Sequence, residues 1–106
     1  MNIYIYLLIL INWGDIIGVV AHNEKEVKLL ARLMRAEAEG EGELGMLMVG
    51  NVGINRVLAN CLDFINIRTI EQMVFQRPGG FESTLYPYFY QNARTIDIRL
   101  ARRSIK

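Results

Sequence analysis

The sequence has one cysteine, Cys61, in 106 residues. No internal disulfide can form, and a metal site built from several thiolates is excluded. It has one histidine, His22, placed ahead of the first helical pattern. A Ser-His or Cys-His nucleophilic machine would have to use it, and its position favours a surface role. Excess charge of one sign is also missing: 12 basic residues face 11 acidic ones, a formal net of +1. That argues against a partner held by phosphate neutralisation, so no nucleic acid is expected. No phosphate loop, zinc spacing or internal repeat is present. No group of acids has the ligand order of a dedicated calcium loop, so no metal is expected. What remains is one domain's length with 52% hydrophobic residues, enough to bury a core.

The one long apolar run, residues 3–11, is followed by Trp13, Ile16, Ile17, Val19 and Val20. A spanning helix needs roughly 20 apolar residues, and Asn12 and Asp15 interrupt this stretch. A secretory signal needs a basic start, but the first basic residue is Lys25, and no Ala-x-Ala site follows. Residues 1–21 read as a buried strand, a membrane-seeking tail or translated sequence upstream of the true start. Asp15 and the lack of early basic residues count against a membrane contact.

The chain is organised around four acids at alternate positions, Glu37, Glu39, Glu41 and Glu43, which end a strongly helical stretch. On a helical wheel from Val27, Leu29, Leu30, Ala31, Leu33, Met34, Ala36 and Ala38 cover one arc. Lys25, Lys28, Arg32, Arg35 and Glu39 lie opposite. Glu37 falls within the apolar arc, one turn beyond Leu33. A carboxylate there loses hydration, which raises its pKa. An acid still protonated near neutral pH suits acid-assisted cleavage of a glycosidic bond. The competing reading is a Glu at a fraying helix end that reaches water past Gly40.

Four helices are expected. The first starts at the cap Asn23, with Glu26 completing a capping-box-like pair, and runs to about residue 39. Gly40, Gly42 and Gly45 then form a turn. The second, about 44–58, is apolar nearly all round and should be central to the core. Gly50 and Gly53 weaken it, which calls for close approach of a neighbour. Asn51 and Asn55 on this helix either join a network that orients Glu37 or a substrate, or cap neighbouring loops. Thr69 and Gln72 open a short third helix with Ile70, Met73 and Val74 inward. The turn 76–81 takes its bends from Pro78, Gly79 and Gly80. The fourth helix runs from about Tyr88 to the end, with Ala93, Ile96, Leu100 and Ala101 on one face. Its basic residues, Arg94, Arg99, Arg102, Arg103 and Lys106, read as a solvated face. Phe81, Tyr86, Tyr88, Phe89 and Tyr90 suit sugar faces as well as a core.

The stretches 18–22, 30–42, 49–57, 70–76, 80–82, 88–91 and 100–103 together resemble the SleB/CwlJ family of spore cortex hydrolases, more closely the CwlJ branch. The signature is a helix ending Glu37-Ala38-Glu39-Gly40-Glu41, then Asn55-Arg56 on the next helix, then Gln76 before the turn Gly80-Phe81. The resemblance implies an α+β, predominantly helical fold, lysozyme-like and related to lytic transglycosylases. It implies a catalytic domain over 18–106 that lacks its C-terminal part, with residues 1–17 as an apolar N-terminal extension. It assigns Glu37 as the catalytic acid, and gives Glu41, Asn55, Arg56, Gln76, Phe81 and Glu82 binding or supporting roles. The implied activity is cleavage of the N-acetylmuramic acid–N-acetylglucosamine bond of spore cortex peptidoglycan during germination, at the coat–cortex boundary, with a spore-coat protein as a further partner. No resident cofactor is implied; calcium dipicolinate is an expected activator. The alternative is a truncated remnant of the fold that binds peptidoglycan or a partner without cutting.

Overall fold

The computed structural model describes residues 20–59, 67–77 and 80–105. The expectations for 1–17 and for Cys61, Asp63 and Phe64 lie outside these residues. Helix α1 is Glu24–Ala38, followed by a 3-10 turn, Glu39–Glu41, and helix α2, Gly42–Ala59. Helix α3 is Ile70–Val74; two 3-10 turns, Glu82–Leu85 and Pro87–Tyr90, lead into helix α4, Thr95–Ile105. No strand occurs among the described residues, so they show the helical part of the expected α+β class.

Asn23 caps α1 as expected, accepting the Glu26 N–H at 2.8 Å. The Glu26 carboxylate, however, is not spent on a return bond to its own helix. It accepts the Glu71 N–H at 3.0 Å and so ties α1 to the first turn of α3. Thr69 and Gln72 form the full capping box that the sequence announces. The anticipated turn over three glycines reduces to one. Only Gly42 has positive φ, at 78°, where glycine is free of the Cβ clash that other residues meet. Gly45 already lies inside α2, which therefore begins two residues earlier than the pattern indicated.

The two long helices form an antiparallel hairpin. A Cβ placed on Gly45 would lie 3.7 Å from Ala38, on Gly50 3.0 Å from Met34, and on Gly53 3.9 Å from Leu30. Gly50 also lies against Ser104 of α4, and Gly53 against Met73 of α3. The neighbours the glycines admit are thus side chains of all three other helices. Helix α2 is central, as its all-round apolar sequence requires, and Met46, Val49, Val52 and Ile54 are buried. Leu30, Leu33 and Met34 of α1 meet Leu100 and Ala101 of α4 in the same core. Each large side chain fully withdrawn from water contributes about 1.5–3 kcal/mol.

Helix α4 starts seven residues later than expected. Pro87 opens a separate 3-10 turn, and Tyr86 and Gln91 on either side of it are extended. The start that does form is set by Asp97, whose carboxylate accepts the Arg94 N–H at 2.9 Å. It is the acid half of a capping box, three residues after the cap position.

Candidate functional site

Glu37 stands on the last turn of α1, where the apolar face tapers. Leu30, Leu33 and Met34 are fully buried, whereas Ala36 and Glu37 are half-buried. The wheel puts Glu37 within the apolar arc, but the helix ends one residue later, so its neighbours cover only part of it. Its Oε2 accepts the N–H of Ser83 at 3.1 Å. That bond joins the helix end to the first of the two 3-10 turns, 46 positions further along the chain.

The backbone that supplies this N–H is held from several sides. The Phe81 carbonyl accepts the Thr84 hydroxyl at 2.9 Å and Arg77 Nη1 at 3.2 Å. Arg77 Nη2 also donates to Thr84 Oγ1, and Nη1 reaches the Gln76 carbonyl at 3.1 Å. The Phe81 ring is buried and lies 4.5 Å from the Arg56 guanidinium, a cation–π contact with α2. Gly80 sits against the Gln76 carbonyl, so a Cβ there would collide with backbone. The structure therefore joins Glu37, Arg56, Gln76 and Phe81 into one connected group, through Ser83, Thr84 and Arg77. Those three linking residues were not anticipated. Their signal is local: a Thr three residues after Phe81, placed to bond back to its carbonyl.

Asn55 is fully buried beside Arg56, and among the described residues both ends of its amide lack a partner. The network that was to orient Glu37 through Asn55 is not made among the described residues, and Asn51 is only half-buried. Gln76 Oε1 and Ser83 Oγ are likewise buried without partners among the described residues. Orphaned buried groups of this kind are rare and each costs about 1–3 kcal/mol. Glu41 is exposed on the turn after α1, and Glu82 is exposed with its Oε1 accepting the Tyr86 hydroxyl at 3.2 Å. Neither carboxylate bonds to Glu37. Glu82 is adjacent in sequence to the Ser83 N–H that does.

The opposite face of α1 is covered rather than simply solvated. Glu39 accepts the Tyr88 hydroxyl, meets Arg94 at 3.1 Å and Arg35 at 3.5 Å. The Tyr88 bond, then Arg94 and Arg35, hold its carboxyl below the usual carboxylate range against the opposing effect of burial. Arg35 also lies over the Tyr88 ring, 5.2 Å from its centroid, and donates to the Asn92 carbonyl at 3.1 Å. Burial pushes the Asp97 carboxyl up, but the Arg94 side-chain and backbone bonds together bring it below its ordinary value. The basic face expected on α4 is largely paired: Arg94 with Asp97, Arg99 with Glu43 at 3.7 Å, Arg102 with Glu24 at 2.6 Å. A cavity of about 370 Å³ lined by Lys28, Arg32, Asn92, Ala93 and Ile98 lies on this side, away from Glu37. Among the described residues no helix is long and apolar enough to cross a membrane, and no three His, Cys, Asp or Glu side chains gather as metal ligands.

A family model described as Cell Wall Hydrolase matches residues 40–106. That span includes six of the seven anticipated site residues and begins three positions after Glu37. A protein from Oceanobacillus iheyensis is 73% identical over 89 residues, covering 84% of this chain and 63% of its own length. One from Halalkalibacterium halodurans is 60% identical over 88 residues, covering 83% and 62%. One from Bacillus subtilis is 59% identical over 88 residues, covering 83% and 61%. Each is called cell wall hydrolase CwlJ. The chain thus spans under two thirds of these relatives' length. No solved structure matches.

Proposed function

The chain belongs to the cell wall hydrolase family, and from that premise we propose that it carries the catalytic part of a CwlJ-like peptidoglycan hydrolase of spore germination, with Glu37 as the acid. The observation that carries this reading is the Glu37–Ser83 bond. A half-buried carboxylate at a helix end is held by the backbone N–H of Ser83, whose own hydroxyl is buried without a partner among the described residues. Oε2 is engaged as an acceptor, so the proton of the acid form resides on Oε1. That oxygen is the one left to face a glycosidic oxygen.

In the proposed reaction Glu37 gives this proton to the oxygen linking N-acetylmuramic acid to N-acetylglucosamine. The bond to the muramic anomeric carbon breaks through an oxocarbenium-like state. The same oxygen of Glu37 can then take a proton, either from the muramic 6-hydroxyl, closing a 1,6-anhydro ring, or from water. A water attack is normally helped by a second carboxylate. Glu82 is favoured over Glu41 for that task, since it adjoins Ser83. Asn55 and Gln76, whose unpaired atoms are closed to solvent, are proposed to support the site from within and not to touch the sugar. The fold is proposed to be lysozyme-like, and the place of action the boundary of spore coat and cortex, with a coat-protein partner. Calcium dipicolinate enters as an activator, not a resident cofactor.

The test is mass spectrometry of fragments released from decoated spore cortex, with the Glu37→Gln protein alongside. Anhydro-muramic ends that vanish in the variant establish a lytic transglycosylase. Ordinary reducing muramic ends that vanish establish a muramidase. Equal release by both proteins removes Glu37 from the mechanism. No release by a protein shown to be folded leaves the alternative, a domain that holds peptidoglycan without cutting it.

A further inference from the structure

We propose that Tyr86 and Tyr90 form a preordered platform for the pyranose rings of a glycan strand, beside the Ser83 N–H that holds Glu37. The proposal deepens the reading of the site as a peptidoglycan-cleaving one and rests on it.

Five aromatic residues fall in the segment 81–90, and the structure sorts them by chemistry. Phe81 and Phe89 are buried. Phe89 packs edge-on against Phe75 and Tyr90, with centroids 5.8 Å and 4.8 Å away. The three tyrosines stay out: Tyr86 is 53% exposed, Tyr88 40% and Tyr90 55%, and Leu85 beside them 65%. Their hydroxyls do not point freely into water. Tyr86 donates to Glu82 Oε1 at 3.2 Å, Tyr90 to the Thr84 carbonyl at 3.0 Å, and Tyr88 to Glu39. A tyrosine usually shows water its polar tip and hides its ring. For Tyr86 and Tyr90 the tips are tied inward and ring surface is left outside, whereas Arg35 lies over the Tyr88 ring.

The anchor points carry the inference. Glu82 and Thr84 flank Ser83, whose N–H holds Glu37, and Glu39 is two residues beyond Glu37. Tyr86 and Tyr90 are therefore each tied to a residue next to Ser83, at one end of the Glu37–Ser83 bond. Rings fixed before binding lose little freedom when a ligand arrives. Flat apolar faces bordered by the Glu82 carboxylate and the Thr84 carbonyl match the C–H faces and hydroxyl rims of linked pyranoses. The family acts on a cell wall, which makes a glycan strand the occupant rather than a protein.

The experiment uses the full chain with Glu37→Gln, which separates binding from cutting. It is titrated calorimetrically with a β-1,4-linked N-acetylglucosamine hexamer. Tyr86→Ala with Tyr90→Ala is expected to weaken binding about tenfold, a modest ring-stacking contribution from each. The Phe pair, Tyr86→Phe with Tyr90→Phe, keeps the rings and is expected to stay within about threefold. If the Ala pair proves unstable by thermal unfolding, the Leu pair, Tyr86→Leu with Tyr90→Leu, keeps apolar bulk without a flat ring and is likewise expected to weaken binding about tenfold. Tyr88 is left intact because it also holds Glu39. Unchanged affinity in the Ala pair, or no binding by the parent, overturns the platform. So does sedimentation showing a dimer that the Ala pair disrupts and the sugar does not. The two readings fail separately. If Glu37→Gln abolishes cortex release while the Ala pair binds normally, the catalytic reading stands and the platform falls. If Glu37→Gln still cuts while the Ala pair loses binding, the reverse holds.

Discussion

The α1–α2 hairpin and the segment 76–94 are built by different physics. The hairpin is held by packing. Leu30, Leu33, Met34, Val49, Val52 and Ile54 leave water together, and glycines at 50 and 53 let neighbouring helices close on α2. The described residues of the segment 76–94 contribute two buried rings, Phe81 and Phe89, and are tied mainly by side chains bonded to backbone. The anticipated acid comes from the packed half, and the group that holds it comes from the bonded half. Stability and function should therefore separate under mutation.

The largest effect is expected at Glu37. Glu37→Gln should lower cortex cleavage by at least about 10²-fold, the usual contribution of a positioned acid. The amide keeps an oxygen that can accept the Ser83 N–H, so thermal unfolding should move little. A variant that both unfolds and loses activity would show that Glu37 belongs to the packed half after all.

Gly50→Leu attacks the hairpin instead. Its Cβ would press on Ser104 and on Met34. Overpacking of this kind costs about 1–3 kcal/mol. Denaturant unfolding should register that loss, while the protein that remains folded should cleave cortex at the parent's rate per molecule. A fall in specific activity beyond the unfolded fraction would mean the hairpin positions Glu37 through more than its helix.

The sequence resolved these two halves unequally. Helix caps at Asn23 and Thr69, the apolar character of α2 and the inward face of α3 all follow from short-range patterns, and the structure keeps them. The apolar spacing of Tyr88, Phe89 and Tyr90 extends the expected fourth helix seven residues beyond its true start, and Pro87 and Asp97 overrule it. A capping box is local, so the pattern assigns Glu26 to its own helix, whereas its partner Glu71 lies 45 residues away. Of the site, Glu37, Arg56, Gln76 and Phe81 do come together, but what joins them does not show in the pattern. The Ser83 N–H carries no residue-type signal, since any residue but proline offers one. The Arg77 clamp depends on carbonyls, which every residue has.

Asp97 lies between the two halves: it starts α4 and holds Arg94, which in turn reaches Glu39. Its carboxyl is fully buried and sits below its ordinary value in the folded state. A depressed folded pKa adds stability that is present above the unfolded carboxylate value, near 3.9, and lost as pH falls through the folded value. Asp97→Asn keeps an acceptor but loses the charge, and should lower stability by about 1–2 kcal/mol at pH 7. The gap between variant and parent should narrow below about pH 4. A gap that stays constant down to pH 2 would assign the bond to geometry and not to charge.

The smallest effect sharpens the comparison most. Thr69 and Gln72 close α3 by a reciprocal cap, with Thr69 Oγ1 accepting the Gln72 N–H at 3.1 Å and Gln72 Oε1 accepting the Thr69 N–H at 3.2 Å. Thr69→Ala removes one of these bonds and should lower stability by about 1 kcal/mol. Helix α3 sends Met73 and Val74 into the core, but its C-terminal end leads directly to Gln76 and Arg77. If packing governs α3, the variant loses stability and keeps its specific activity, as Gly50→Leu does. If the helix end sets the position of Arg77, the loosened cap reaches the Phe81 carbonyl, and cleavage falls by more than stability does. Measuring both on the same preparation places the boundary between the packed and the bonded half at Val74 or moves it back to Thr69.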